Sequence, residues 1–293
     1  MTHRSAIFLS AFTLTTMGTL SLHSGGCSSA DEGAAAPMTT DAGQDRPPIV
    51  PVPDVLPWTP VNLFPAIWLD GDDIQETNGS VVQWTDKSGN RNDARQDTAS
   101  LQPRAVVFNG HKGASFNGAT QLVVRDAPSL RWGTDDFAFF TVLRYTDALD
   151  PLVGDIFVKD IGPEPYSGVQ IFATTPKNRD GGTGLPGEFL MGTGDVSRIK
   201  SADDRGYADG KPHVTSFRRV GTELTMRVDF RPSGSMTVSQ VNVSAGGQDV
   251  RIGGNTSSQF LIGDIAELIG VHATVSDGDV TRVETYLKDR YGL

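Results

Sequence analysis

Residues 83–96 read QWTDKSGNRNDARQ. The stretch holds one Trp, a glycine turn, and Asp86, Ser88, Asn90 and Asn92 at every second position. Three readings compete for it: a calcium loop, part of a sugar-binding face, or a turn between two strands. As a calcium loop it matches the first, third, fifth and seventh ligand positions of an EF-hand, with Asp97 at the twelfth. The sixth position, where the sharp bend demands Gly, is Arg91, and no helical pattern flanks the loop. Lys87, Arg91 and Arg95 would also repel a cation. The turn reading explains more. Trp84 is expected to bury against a second sheet, Asp86 to accept backbone N–H groups, and Gly89 to take a positive φ. Trp84, Asp86, Ser88, Gly89 and Asn90 are therefore expected to define a structural turn.

The surrounding chain supports strands. Short apolar or alternating runs recur between Gly, Asp, Asn and Pro clusters. They are AIWLD (66–70), SVVQWTD (80–86), QLVVRD (121–126), FAFFTVLRY (137–145), DIFVKD (155–160), GVQIFAT (168–174), EFLMG (188–192), HVTSFRRV (213–220), ELTMRVDF (223–230), MTVSQVNV (236–243), DVRIGG (249–254) and FLIGDIAELIGVHAT (260–274). This density of β-branched and aromatic runs predicts an all-β sandwich or barrel. FAFFTVLRY is apolar on both faces and is expected to be a central strand. Gly221 marks a hairpin. Only SDGDVTRVETYLKDRYGL, at the end, reads as a helix. Ser276 is its N-cap, Val280, Val283 and Leu287 form one apolar face, and Gly292 is the stop. It is expected to pack across the end of the sandwich.

The other end of the chain looks like an export signal. Arg4 precedes a moderately apolar run from Ala6 to Leu22, then small residues, then Cys27. That is the order of a secretory signal over 1–26. Thr and Ser interrupt the run, whereas a membrane span needs roughly 20 mostly apolar residues. Cys27 is the single cysteine, so no disulfide forms within the chain. Its setting, Ser24-Gly25-Gly26-Cys27-Ser28-Ser29, resembles a bacterial lipobox, with Ser24 where an aliphatic residue is usual. The resemblance implies a lipidated Cys27 as mature N-terminus and a protein anchored in the bacterial cell envelope, at the outer membrane or cell surface; simple secretion is the alternative. Residues 27–57 hold six prolines and little that could fill a core. They read as a tether, and 58–293 as one domain.

Charge excludes some partners. Removing 1–26 takes away Arg4 and no acids, leaving 24 basic and 35 acidic side chains, a net charge of −11. Nucleic acid and anionic lipid both need a basic footprint, so neither is expected. Seven of the acids are Glu and the rest Asp, a bias toward turns, caps and oxygen ligands.

Several runs line up with one family. LFPAIWLDGDD, SVVQWTDKSGNRNDARQ and GHKGASFNGATQLVV resemble, in that order, the N-terminal half of laminin-G-like, concanavalin A-like lectin/glucanase domains. DGKPHVTSFRRVGTELTMRVDF (209–230) is similar to the family's later hairpin, and residues 260–293 to its closing strand and C-terminal helix. Pro212 and Phe230 depart from the pattern, which often has an aromatic before His213 and Gly after Asp229. The resemblance spans nearly all of 63–293, though 145–208 carries no signature. It implies a two-sheet antiparallel jelly-roll sandwich with a short C-terminal α-helix. It leaves function open, since this fold hosts sugar binders, adhesion modules and glycosidases.

The chemistry favours binding. A glycosidase needs two carboxylates about 5–10 Å apart. The E-x-D-x-x-E signature of glucanases with this fold is absent. Asp264 and Glu267 are three apart, so on a regular strand they face opposite ways. There is no G-x-S-x-G elbow. His111, His213 and His272 are too scattered for a local zinc motif, and His213 reads as structural. Sugar sites need aromatics to stack on rings and Asp or Asn to fix hydroxyls. Trp132, Tyr166 and Tyr207 lie in polar, loop-like contexts, with Asn178, Asp203, Asp204 and Asp209 near some of them; partial burial as packing is their commoner fate. No cofactor is required. Calcium is the metal this composition leaves room for, with Asp70, Asp86 and Asp264 as candidate ligands, although caps and strand ends explain Asp70 and Asp264 as well. The expectation is a non-catalytic recognition domain whose partner is a glycan or polysaccharide. A structural or protein-interaction module is the second reading, its protein partners unknown, and a divergent glycoside hydrolase or lyase the third.

Overall fold

The computed structural model describes residues 57–146, 153–159, 168–174, 187–193, 197–201, 206–256 and 258–293. The signal segment, Cys27 and the tether up to residue 56 lie outside the described residues, as do Tyr166, Asn178, Asp203 and Asp204. The strands are β1 (Ile67–Thr77), β2 (Ser80–Asp86), β3 (Ala94–Arg95), β4 (Arg104–Phe108), β5 (His111–Asn117), β6 (Leu122–Val124), β7 (Phe137–Tyr145), β8 (Val153–Lys159), β9 (Val169–Thr174), β10 (Phe189–Thr193), β11 (Ser197–Lys200), β12 (His213–Val220), β13 (Glu223–Val228), β14 (Arg231–Thr237), β15 (Val250–Ile252) and β16 (Ile262–Val271). One helix, α1 (Asp277–Tyr291), follows.

The pairings are antiparallel and build a jelly-roll-type β-sandwich. The strand path runs β14-β13-β12-β7-β16-β5-β4 and, through a Ser80–Arg104 pairing of β4 with β2, continues β2-β3-β6-β15-β8-β9-β10-β11, giving the two layers. β1 belongs to both. Its first half pairs with β16, and after a register break its second half pairs with β2. Strands that switch sheets at a bend make the corners of such sandwiches. The bend falls at Gly71, where a Cβ would sit 1.8 Å from the Lys112 carbonyl oxygen, so no larger residue fits.

β7 is the central strand its composition predicts, hydrogen-bonded to β16 and β12. Its odd positions, Phe137, Phe139, Leu143 and Tyr145, enter the core between the layers. Its even positions, Ala138, Phe140 and Val142, face outward under α1, beside Val214 and Ile269. The helix therefore covers the outer face of one sheet and not the end of the sandwich. A layer apolar on both faces needs a second cover, and Val280, Val283, Leu287 and Tyr291 supply it. The caps are as expected: Ser276 Oγ accepts from Asp279 N at 3.1 Å, and Gly292 closes the last turn with φ 64°.

Other differences are local. The run 236–243 is strand only to Thr237. β4 and β11 form where no periodic run marks them. In the two-residue β13–β14 turn, Asp229 (φ 48°) and Phe230 (φ 67°) are both left-handed. Phe230 thus occupies a conformation that glycine takes freely, and its ring packs toward α1 with the Lys288 ammonium 5.5 Å from the ring centre.

Candidate functional site

The opening turn is a structural hub. Asp86 Oδ1 accepts from Trp68 N and Ser88 N, both at 2.9 Å. Its Oδ2 accepts from Ser88 Oγ at 2.6 Å and Asn92 N at 2.8 Å. Asn90 Nδ2 donates to the carbonyls of Pro65 and Ala66, and Asn92 Nδ2 to that of Ala66 at 2.7 Å. Trp84 is fully buried, and its Nε1 donates to the Asp70 carbonyl at 2.7 Å. Gly89 has φ 89°. The side chains that mimic a calcium loop are thus committed to the backbone around them.

The other two metal candidates are held by cations. Asp70, buried, binds Lys87 Nζ at 3.0 Å and Arg290 Nη2 at 2.6 Å. Asp264 binds Arg144 Nε at 2.7 Å. Among the described residues no group of three or more His, Cys, Asp or Glu is arranged to hold a metal ion.

Asp70 and Glu267 meet across strands, and the parity expectation for Asp264 and Glu267 fails. A bulge between Ile265 and Glu267 shifts the register of β16, so Asp264 and Glu267 share the outer face. Glu267 then lies directly across from Asp70. Both are enclosed beneath the C-terminal turn of α1, at 0 % and 1 % exposure. Glu267 accepts Trp68 Nε1 at 2.8 Å and the Tyr291 hydroxyl at 2.9 Å. Burial, and secondarily the Asp70 charge, push its pKa up to about 7. No substrate can reach this pair as it stands, so it braces the helix.

The two aromatic candidates among the described residues, Trp132 and Tyr207, are core residues. Trp132 is fully buried, its ring 5.0 Å from that of Phe139 and 5.8 Å from that of Phe157. Tyr207 packs against Phe189 and His213, both at 5.1 Å. Arg131, Thr134, Asp135 and Asp209 beside them are exposed while the rings turn inward, because removing a large aromatic from water outweighs a short loop's preference for solvent. Neither can stack on a sugar. Asp209 accepts His213 Nε2 at 3.1 Å, and Asp229 faces His213 Nδ1 at 3.0 Å. Burial pulls the His213 pKa down, but the two carboxylates outweigh it and leave it raised. His213 is a buried clasp between Asp209 and Asp229.

The site that remains is a surface cleft of ≈ 700 Å³ between the loop after the opening turn and β6 and β15. Period-two alternation builds it. Asp93, Arg95 and Asp97 share one face of the chain, as do Val123 and Arg125, and Asp249 and Arg251. Register aligns them: Arg251 lies across from Val123, and Val123 across from Arg95. Arg91 and Gln96 also line the cleft. Three of its four carboxylates are engaged by neighbours. Asp126 binds Arg131, Lys159 and Gly247 N, and the Arg131 bond above all holds its carboxyl well below the usual range. Asp249 accepts from Asp126 N and Arg125. Asp93 accepts from Asp86 N, Gln83 and Arg95. No local motif announces this cleft, because β3, β6 and β15 are neighbours in the sheet and distant in sequence.

No family profile and no curated protein sequence matches the chain. Solved structures do match in fold. The binding domain of Paraclostridial Mosquitocidal Protein 1 aligns with TM-score 0.54 at 12 % identity, over 76 % of this chain and 52 % of that one. An arabinofuranosidase complexed with arabinofuranosyl-α-1,2-xylobiose aligns at TM-score 0.54 and 14 % identity, over 70 % and 50 %. Domain 4 of AbnA, an extracellular GH43 arabinanase from Geobacillus stearothermophilus, in complex with arabinotriose, aligns at 0.53 and 14 %, over 75 % and 98 %. This chain thus spans about half the length of the first two.

Proposed function

We propose that the protein is a non-catalytic carbohydrate-recognition module of the laminin-G-like kind, presented at the bacterial cell envelope through a lipidated Cys27 and a proline-rich tether. The observation that carries the binding reading is the polar cleft over β3, β6 and β15, rich in fork-shaped donors and paved by Val123. Saccharides are held by such convergent donors and acceptors around a modest apolar floor. Structural neighbours that bind arabinose-containing saccharides support the reading. So does the chemistry of the carboxylates. A glycosidase acid needs a raised pKa; the described carboxyl with that property, Glu267, is enclosed, and Asp126 in the cleft is shifted the opposite way.

The test is a glycan and polysaccharide array probed with the purified protein, with calcium and then with a chelator. Binding is expected in both conditions, because Asp70, Asp86 and Asp264 are already engaged. Silence from a stably folded protein would reject glycan recognition, and loss under chelator would restore a metal to the site.

A further inference from the structure

We propose that the cleft is selective for saccharides carrying carboxylates, that is, uronic acid-type polymers, with Arg91 and Arg251 as the carboxylate-binding residues. The inference rests on the carbohydrate reading and specifies its ligand class.

Charge is the first argument. The whole chain is acidic, with a formal net charge of −10. The cleft does not share that excess of acid: its lining sets four arginines against four aspartates. Arg91, Arg95, Arg125 and Arg251 line it, and Arg131 and Lys159 stand behind Asp126. The four lining arginines face four carboxylates, Asp93, Asp97, Asp126 and Asp249, of which Asp126 is neutralised by Arg131 and Lys159 from outside the lining. Three of the four are occupied by the backbone amides and cations already named. An anion entering the cleft would meet donors first.

Availability is the second. Arg95 and Arg125 each have a carboxylate partner. Arg251 has only a 3.5 Å hydrogen bond to Gln121 Oε1, and the exposed Arg91 makes no hydrogen bond or ion pair among the described residues. A guanidinium presents two parallel N–H donors that match both oxygens of a carboxylate, a geometry that neither a hydroxyl nor an ammonium reproduces. Arg251 and Arg95 flank Val123 on consecutive strands, which puts their backbones about 10 Å apart at the usual strand spacing. That leaves room for one sugar ring over Val123.

Backbone strain is the third. Arg91 has φ 61°, in the left-handed region that disfavours side chains and suits Gly or Asn. The fold gains nothing visible from an arginine there. Strained residues of this sort collect where a side chain is needed for recognition.

The experiment measures binding of polygalacturonate, its carboxyl-reduced neutral counterpart and dextran sulfate to the wild type, Arg91→Gly and Arg251→Gln. Polygalacturonate should bind at least tenfold tighter than the reduced polymer and than dextran sulfate. Each variant should weaken polygalacturonate binding about tenfold. Arg91→Gly should keep or raise the melting temperature, since glycine adopts the same φ freely; stability and affinity moving apart is what a merely structural arginine would not give. Equal binding of polygalacturonate and the reduced polymer would overturn acid selectivity while leaving carbohydrate recognition in place. Dextran sulfate binding as well as polygalacturonate, unaffected by either variant, would reduce the effect to general charge attraction and also overturn it. Failure of all three polymers, together with a silent array, would remove the carbohydrate reading itself.

Discussion

Asp86 carries more of the fold than any other single side chain in the opening turn. One carboxylate accepts three backbone amides and a hydroxyl, tying the turn to Trp68 at the start of β1. Hydrogen bonds to a charged acceptor contribute about 1.5–3 kcal/mol each net, they are not additive on one carboxylate, and the orphaned amides would be partly resolvated. Asp86→Ala should therefore cost about 2–4 kcal/mol, read as a lower urea midpoint, and a shift of less than about 0.5 kcal/mol would show that the turn does not depend on it. This role was legible in the sequence because it is local: Asp, Ser, Gly and Asn at turn spacing have few other uses. Burial as packing is the commoner expectation for Trp132 and Tyr207, but that it is complete was not legible. Whether a loop aromatic faces solvent or core depends on what the opposite sheet leaves unfilled, and Phe139, Phe157 and Phe189 come from strands that sequence order does not place beside them.

At the scale of elements, α1 is fastened to its sheet by apolar contact and by ions. Glu284 accepts Ser216 Oγ and Arg227 Nε, both at 2.8 Å. Arg290 spans Asp70 and Asp72 at 2.6 and 2.7 Å. Leu287 is fully buried beneath it, and Leu287→Ala should cost about 2–5 kcal/mol through lost burial and the cavity left behind, measured by chemical denaturation. Glu267 gives this interface a pH dependence. Its folded pKa of about 7 exceeds the 4.5 of a free carboxyl, so the folded state holds more protons than the unfolded state in that window. Stability from this group is full below about pH 4.5 and is lost as pH rises toward 7, with a slope of up to about 1.4 kcal/mol per pH unit. His213, also raised, contributes in the same sense at higher pH. Glu267→Gln keeps an acceptor for Trp68 and should flatten the decline between pH 5 and 7; an unchanged slope in urea melts would place its origin elsewhere. The helix, its caps and its apolar face could be read from spacing. The bulge at Ala266 that brings Glu267 opposite Asp70 could not, since a bulge breaks the alternation on which any parity argument depends.

For the whole molecule, the fold class followed from the density of strand runs and a turn pattern that resembles that of known sandwiches, whereas the cleft over β3, β6 and β15 did not. Its arginines come from three short segments, around residues 91–97, 123–125 and 249–251, that only the sheet order joins. The anchor is a separate proposition with a separate test. Cys27→Ser should move the protein from the membrane fraction to the soluble fraction, and unchanged partitioning would refute lipidation. The central claim, that saccharides are recognised at the cleft, is tested most directly by Val123→Glu, which raises a charged side chain from the floor between Arg95 and Arg251. Titration of the tightest array ligand against wild type and variant, with melting temperatures measured alongside, is the decisive measurement. The account predicts at least a tenfold loss of affinity in a variant that remains folded. Wild-type affinity in Val123→Glu would contradict it and move recognition to another face of the sandwich.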